Sequence, residues 1–207
     1  MQTHDTPEKS YDLERLIFFS DGVFAIAITL LVIELRPPQR WDRTLAGLWG
    51  AEWRSLLAYA VSFLAVGAYW NAHRRLFARV VRFHPGLIFL NLVLLSLVVL
   101  MPFAAELIFD SGPRGEPFAA YLGLIAAIGA AQALLWTFAA FVFKVTDPAM
   151  ASRERLFMTL TLALVPMALG AASVAAWYGA DSSVWIWSLP FIVLANLGRR
   201  RMLAARR

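Results

Sequence analysis

Residues 15–34 read Arg15-Leu-Ile-Phe-Phe-Ser-Asp-Gly-Val-Phe-Ala-Ile-Ala-Ile-Thr-Leu-Leu-Val-Ile-Glu34. Between the terminal charges the single ionisable group is Asp21. The apolar run 16–35 would span about 30 Å as an α-helix, which is the thickness of bilayer hydrocarbon. A barrel strand needs about ten residues of alternating pattern, and this stretch does not alternate. It therefore reads as a transmembrane helix. At about 100° per residue, Phe19, Gly22, Ile26, Thr29, Leu30 and Ile33 fall in one stripe with Arg15. Ser20 and Asp21 point elsewhere.

Working outward, five more apolar runs follow, at about 55–71, 87–109, 118–143, 156–178 and 184–197. The whole chain of 207 residues is 60% hydrophobic and 16% charged, against about 45–50% and about 25% for a soluble domain. The expected fold is an all-α membrane protein, a bundle of six transmembrane helices per subunit. Residues 1–14 form an N-terminal segment without a cleavable signal pattern, 15–197 the transmembrane domain, and 198–207 a basic tail suited to lipid headgroups. Arg36, Arg40, Arg43, Arg54 and Arg114 fall on one side of this topology, leaving 14 of the 19 basic residues on the other. The positive-inside rule then puts both termini in the cytoplasm, with the chain multi-pass in the inner (plasma) membrane. Trp41, Trp49, Trp53, Trp185 and Trp187 fit an outer aromatic belt, and part of 41–54 is expected as a short interfacial helix.

The same numbers exclude several functions. The chain has no cysteine, which removes disulfide scaffolds and thiolate metal sites. His4 and His84 have no metal-ligand spacing, so no metal and no cofactor is expected. A net charge of +5 is accounted for by arginines beside the spans, so membrane lipid rather than nucleic acid is the expected partner. No G-x-S-x-G, H-E-x-x-H or P-loop pattern supports an enzyme. Asn91, Ser96 and Gln132 read as interhelical hydrogen-bonding residues. Pro102, Pro166 and Pro190 read as tolerated kinks, and Glu106 and Asp110 as weaker candidates near the outer end of the third span.

Asp21 needs a partner, because a carboxylate inside a span costs about 2.5 kcal/mol or more. In an antiparallel hairpin, Tyr69-Trp70-Asn71-Ala72-His73 at the end of the second span reaches its depth. Two readings stand. Ser20, Asp21, Trp70, Asn71 and His73 form a buried hydrogen-bonded knot that holds helices or subunits together, or Asp21 and His73 relay protons in a proton-conducting or proton-coupled transporter. The stripe with Ile26 is likewise either a packing face, as in a non-conducting scaffold, or the wall of a pore. Glu34 stands beside Arg36 at the outer mouth, either attracting cations or pairing at the interface.

The string Arg15-x-x-x-Phe19-Ser20-Asp21, continued by Gly-Val-Phe-Ala-Ile-Ala-Ile-Thr-Leu-Leu, resembles the signature of the transmembrane protein 175 family of prokaryotic and lysosomal potassium channels. Trp70-x-x-His73 and Pro102-Phe103 also resemble family positions, and the likeness covers one six-helix repeat, about 11–197. A single repeat is similar to the prokaryotic members, which assemble as homotetramers. The resemblance implies a potassium-permeable cation channel in which the first helix of each subunit lines a central pore. Carried over by position, Ile26 forms the narrowest constriction, with Leu30 and Ile33 above it and Thr29 as a polar layer. Arg15, Phe19, Ser20, Asp21, Trp70, Asn71 and His73 then belong to the structural motif. No TVGYG-like filter occurs in the sequence, and the potassium ion enters as the permeant species.

Overall fold

The computed structural model describes residues 7–33, 35, 42–180 and 183. These are helical almost throughout: α1 (Pro7–Leu30), α2 (Leu45–Phe77), α3 (Pro85–Val99), α4 (Met101–Ser111), α5 (Gly115–Thr137) with a π-helical turn Phe138–Val142, and α6 (Ser152–Trp177). Among the described residues four segments are long and apolar enough to cross a membrane: Glu52–Phe77, Pro85–Phe109, Gly115–Val142 and Ser152–Trp177. They coincide with the second to fifth spans of the sequence. The sixth span (184–197), the tail, Glu34 and Trp41 lie outside the described residues.

Each boundary that departs from the sequence reading has a local cause. α1 begins at Pro7, well before the apolar run, and stops at Leu30 rather than 35. Its end tightens into i→i+3 bonds, Ile33 N–H to the Leu30 carbonyl at 3.1 Å and Leu35 N–H to Val32 at 3.2 Å. Pro37 and Pro38 follow and disfavour a return to helix. The expected interfacial helix within 41–54 is not a separate element. Thr44 caps the first turn by accepting from Gly47 N–H at 2.9 Å, and α2 then runs 33 residues without interruption. The third span is divided at Leu100, because Pro102 has no N–H to continue the ladder and seeds the first turn of α4. Pro166, by contrast, is carried inside a continuous α6.

α5 is the centre of the bundle: 61% of its membrane window is buried, against 11% for α2 and 17% for α6. Its small residues make this close approach feasible. A Cβ at Gly129 would lie 2.9 Å from Pro166 Cβ of α6 and 3.0 Å from the Tyr69 hydroxyl of α2, so glycine is what lets three helices meet at that level. α1 packs against α2, α3 and α4, whereas α6 packs chiefly on α5, on the far side of the bundle. At one end the α2–α3 and α5–α6 connections pair with each other. Val81 N–H donates to the Val145 carbonyl at 2.9 Å and Asp147 N–H to the Arg79 carbonyl at 3.0 Å, around a bridge between Val80 and Thr146.

Candidate pore helix and its polar anchor

α1 has two unlike faces. Leu16, Ser20, Phe24, Ala27 and Leu31 recur at spacings of three and four and are buried, the last four to 1% exposure or less. This is the stripe that docks on α2, α3 and α4. The stripe singled out in the sequence lies on the other side: Ile26 is 59% exposed, Leu30 37% and Ile33 64%. Phe19, Gly22 and Thr29 are exposed beside them, and a Cβ on Gly22 would meet nothing within 4 Å. Within one subunit the Ile26 stripe is therefore no part of the core. Thr29 is the polar residue of that stripe; its hydroxyl donates to the Ile26 carbonyl at 2.8 Å and keeps its oxygen lone pairs for acceptance.

The polar residues on the docked side form two branches. Trp70 of α2 donates its indole N–H to Asp21 Oδ1 at 2.8 Å, and the Arg74 guanidinium sits 5.3 Å over the same indole. In the second branch Asn91 of α3 donates from Nδ2 to Ser20 Oγ at 2.8 Å, while the Ser20 hydroxyl donates to the Leu16 carbonyl at 2.7 Å. Asn91 Oδ1 lies 2.8 Å from His73 Nε2. Because the Asn91 amide nitrogen is committed to Ser20, its oxygen must accept, so the network assigns the proton of neutral His73 to Nε2. His73 Nδ1 is then a buried acceptor without a partner, its ring held between Phe24 at 5.4 Å and Phe77 at 4.6 Å. Three helices are tied at one level, and every bond closes on a different helix or on α1's own backbone.

Of the residues expected in the knot or carried by the family motif, Ser20, Asp21, Trp70 and His73 lie at that level. Arg15, Phe19 and Asn71 stand outside the bonded chain. Arg15 is exposed with its guanidinium 5.6 Å over Tyr11, Phe19 is 53% exposed on the bare face, and Asn71 is half-buried. Asp21 and His73 do not bond to each other; they belong to separate branches. Asn91 was expected only as an isolated interhelical residue, and it turns out to be the joint between Ser20 and His73. Its position four residues into the third apolar run, at the same end as Ser20 in the first, was the available signal. Gln132 bridges helices as expected, Nε2 to the Tyr69 carbonyl at 3.4 Å. Ser96 does not: its hydroxyl donates to Val93 of its own helix at 2.8 Å. His84 has a local task, accepting from Gly86 N–H at 3.0 Å to cap α3.

A family model, described as endosomal/lysosomal potassium channel TMEM175, matches residues 15–102, which hold α1 from Arg15 onward, Trp70, His73, Asn91 and the α3–α4 break. A potassium channel of Streptomyces collinus is 38% identical over 174 residues, covering 78% of this chain and 83% of the relative. The chain belongs to the TMEM175 family. That family is one of ion channels, not enzymes, and the chain is a multi-pass membrane protein. The crystal structure of a lysosomal potassium-selective channel TMEM175 homolog from Chamaesiphon minutus aligns with a TM-score of 0.72 and 30% identity, covering 92% of this chain and 98% of that one. An endosomal/lysosomal proton channel TMEM175 of Danio rerio is 31% identical over 181 residues, but this chain covers 35% of its length.

Proposed function

We propose that this TMEM175 member is a potassium-permeable cation channel of the cell's inner membrane. Four copies assemble with one α1 each around a central axis. The observation that carries the reading is the division of α1: one stripe is buried in the subunit by apolar packing and the Ser20–Asp21 bonds, and the opposite stripe is left bare. Ile26 forms the constriction, Leu30 and Ile33 the apolar wall beyond it, Thr29 the adjacent polar layer, and Glu34 the outer mouth. The names of the bacterial relatives as potassium channels support the choice of ion.

Four isoleucines meeting on the axis would leave a dry passage that gates by width and dewetting. A cation entering it sheds water, which is less costly for potassium than for the smaller, more strongly hydrated sodium. With no ring of backbone carbonyls to replace the whole hydration shell, selectivity is moderate. In this reading both termini lie in the cytoplasm, which the arginine distribution supports through the positive-inside rule. The test is single-channel recording of the purified chain in planar bilayers. Ile26→Ala should raise conductance and lower the preference for potassium over sodium. Unchanged conductance and selectivity would overturn the constriction, and a chain that passes neither potassium nor protons would be a scaffold.

A second reading is kept because animal relatives are named proton channels. In it His73, whose Nδ1 has no partner, takes part in proton transfer with Asp21. Proton flux into vesicles without a potassium gradient, abolished by His73→Gln in a normally assembled protein, would favour this reading over the first.

A further inference from the structure

At the end of the bundle where the α2–α3 and α5–α6 connections pair, a cavity of about 320 Å³ is walled by Arg82, Lys144, Arg155, Thr146, Ala140 and Phe141. Its size is at the lower end of the range of small-molecule sites, about 300–1,000 Å³. Three cationic side chains converge on it from three stretches of chain. Arg82 donates from Nη2 to the Lys144 carbonyl, and Arg155 from Nη2 to the Asp147 carbonyl at 3.1 Å. These bonds to neutral acceptors fix the guanidinium groups without neutralising them. The nearby Glu154 carboxylate pairs with Arg79 at 3.5 Å. Arg155 Nε is buried with no hydrogen-bond partner, an exceptional state for a charged donor. An anion with several acceptor oxygens would bridge the cationic groups that line the cavity.

We propose that this cavity binds the phosphate group of an anionic phospholipid. The choice of a lipid over a free phosphate rests on the π-helical turn that forms part of the wall. Phe141 is 42% and Val142 58% exposed there, at the end of a segment apolar enough to cross a membrane. Acyl chains lie along this apolar surface while the headgroup enters among the cations. Guanidinium forks match phosphate oxygens and lysine adds a point charge. Among the described residues none of α1 lines the cavity, so the site stands whether or not α1 lines a pore.

The experiment is native mass spectrometry of the full chain released from nanodiscs of phosphatidylglycerol or phosphatidylcholine, counting lipid retained per subunit. Wild type should retain phosphatidylglycerol selectively. Arg82→Gln with Lys144→Gln, both exposed side chains, should weaken that retention about 25-fold, at about fivefold per charge removed. Arg155→Gln should weaken it further. Arg153→Gln, an exposed arginine that does not line the cavity, should leave it unchanged. Retention unaffected by the double substitution overturns the proposal. So does equal loss with Arg153→Gln, which would mean diffuse attraction, or displacement of the lipid by excess inorganic phosphate, which would make the site one for a soluble anion.

Discussion

Trp70 on α2 and Asp21 on α1 are joined by an indole–carboxylate bond of 2.8 Å, which supplies the partner that a carboxylate inside a span demands. A hydrogen bond to a charged group is worth about 1.5–3 kcal/mol. Trp70→Phe should lower the unfolding free energy in detergent by about that amount. Adding Asp21→Asn to Trp70→Phe should recover most of the loss, because the charge left stranded is gone. Denaturant unfolding followed with size-exclusion chromatography checks both, and an unshifted midpoint for Trp70→Phe refutes the pairing.

Asn91 bonds Ser20 and His73 at once, so Asn91→Leu strands the buried His73 N–H and removes a bond from Ser20. Each group left unsatisfied costs about 1–3 kcal/mol. In a double-mutant cycle, Asn91→Leu and Ser20→Ala should show a coupling of about 0.5–3 kcal/mol. Additive effects in thermal unfolding would contradict a shared bond.

Two glycines should answer alanine substitution with opposite signs. A Cβ at Gly129 would collide with Pro166 and Tyr69, while one at Gly170 would sit 3.9 Å from Ala126 Cβ. Gly129→Ala is expected to destabilise by about 1–3 kcal/mol through overpacking. Gly170→Ala should be neutral or stabilise by up to about 1 kcal/mol, since alanine is the better helix former. Thermal midpoints of the two variants decide it.

The start of α2 should respond to acid. Asp42 accepts from the Thr44 N–H at 2.9 Å, and this backbone bond, followed by the Thr44 hydroxyl, holds its carboxyl below the ordinary 3.8. A lowered folded-state value means the bond's contribution is complete above the unfolded value and disappears as pH falls through the folded one. Protection of the Gly47 and Leu48 amides in hydrogen exchange should therefore fall below about pH 4. Asp42→Asn should remove that pH dependence.

The sequence made the long apolar elements legible and left the joints between them obscure. Runs such as 87–109 and 118–143 are sustained by composition alone, and the structure has membrane-length helices there. The stripe of Ile26, Thr29, Leu30 and Ile33 was visible because a 3.6-residue period survives in a single strand of text. Its exposure was not, since periodicity cannot say what a face meets. Asn91 was legible as an interhelical hydrogen-bonding residue, but its role as a joint was not, because its two partners come from residues 20 and 73, a contact that only three-helix packing creates. The segment 41–54 looked separate because Arg43, Glu52 and Arg54 interrupt the apolar window, yet charges on an outer turn do not end a helix. The π-helical turn at Phe138–Val142 has no mark in Phe-Ala-Ala-Phe-Val. It is set by the loop pairing, in which Val145 N–H returns to the Ala139 carbonyl at 3.0 Å.

The bonds of Ser20 to α3 and of Asp21 to α2 constrain how α1 can move. Twisting α1 about its own axis would swing both residues off partners that sit on two different neighbours, so the Ile26 face cannot be turned like a key. In the proposed pore, widening at Ile26 would therefore come from side-chain rotamer changes, or from whole subunits tilting with the three helices still locked together.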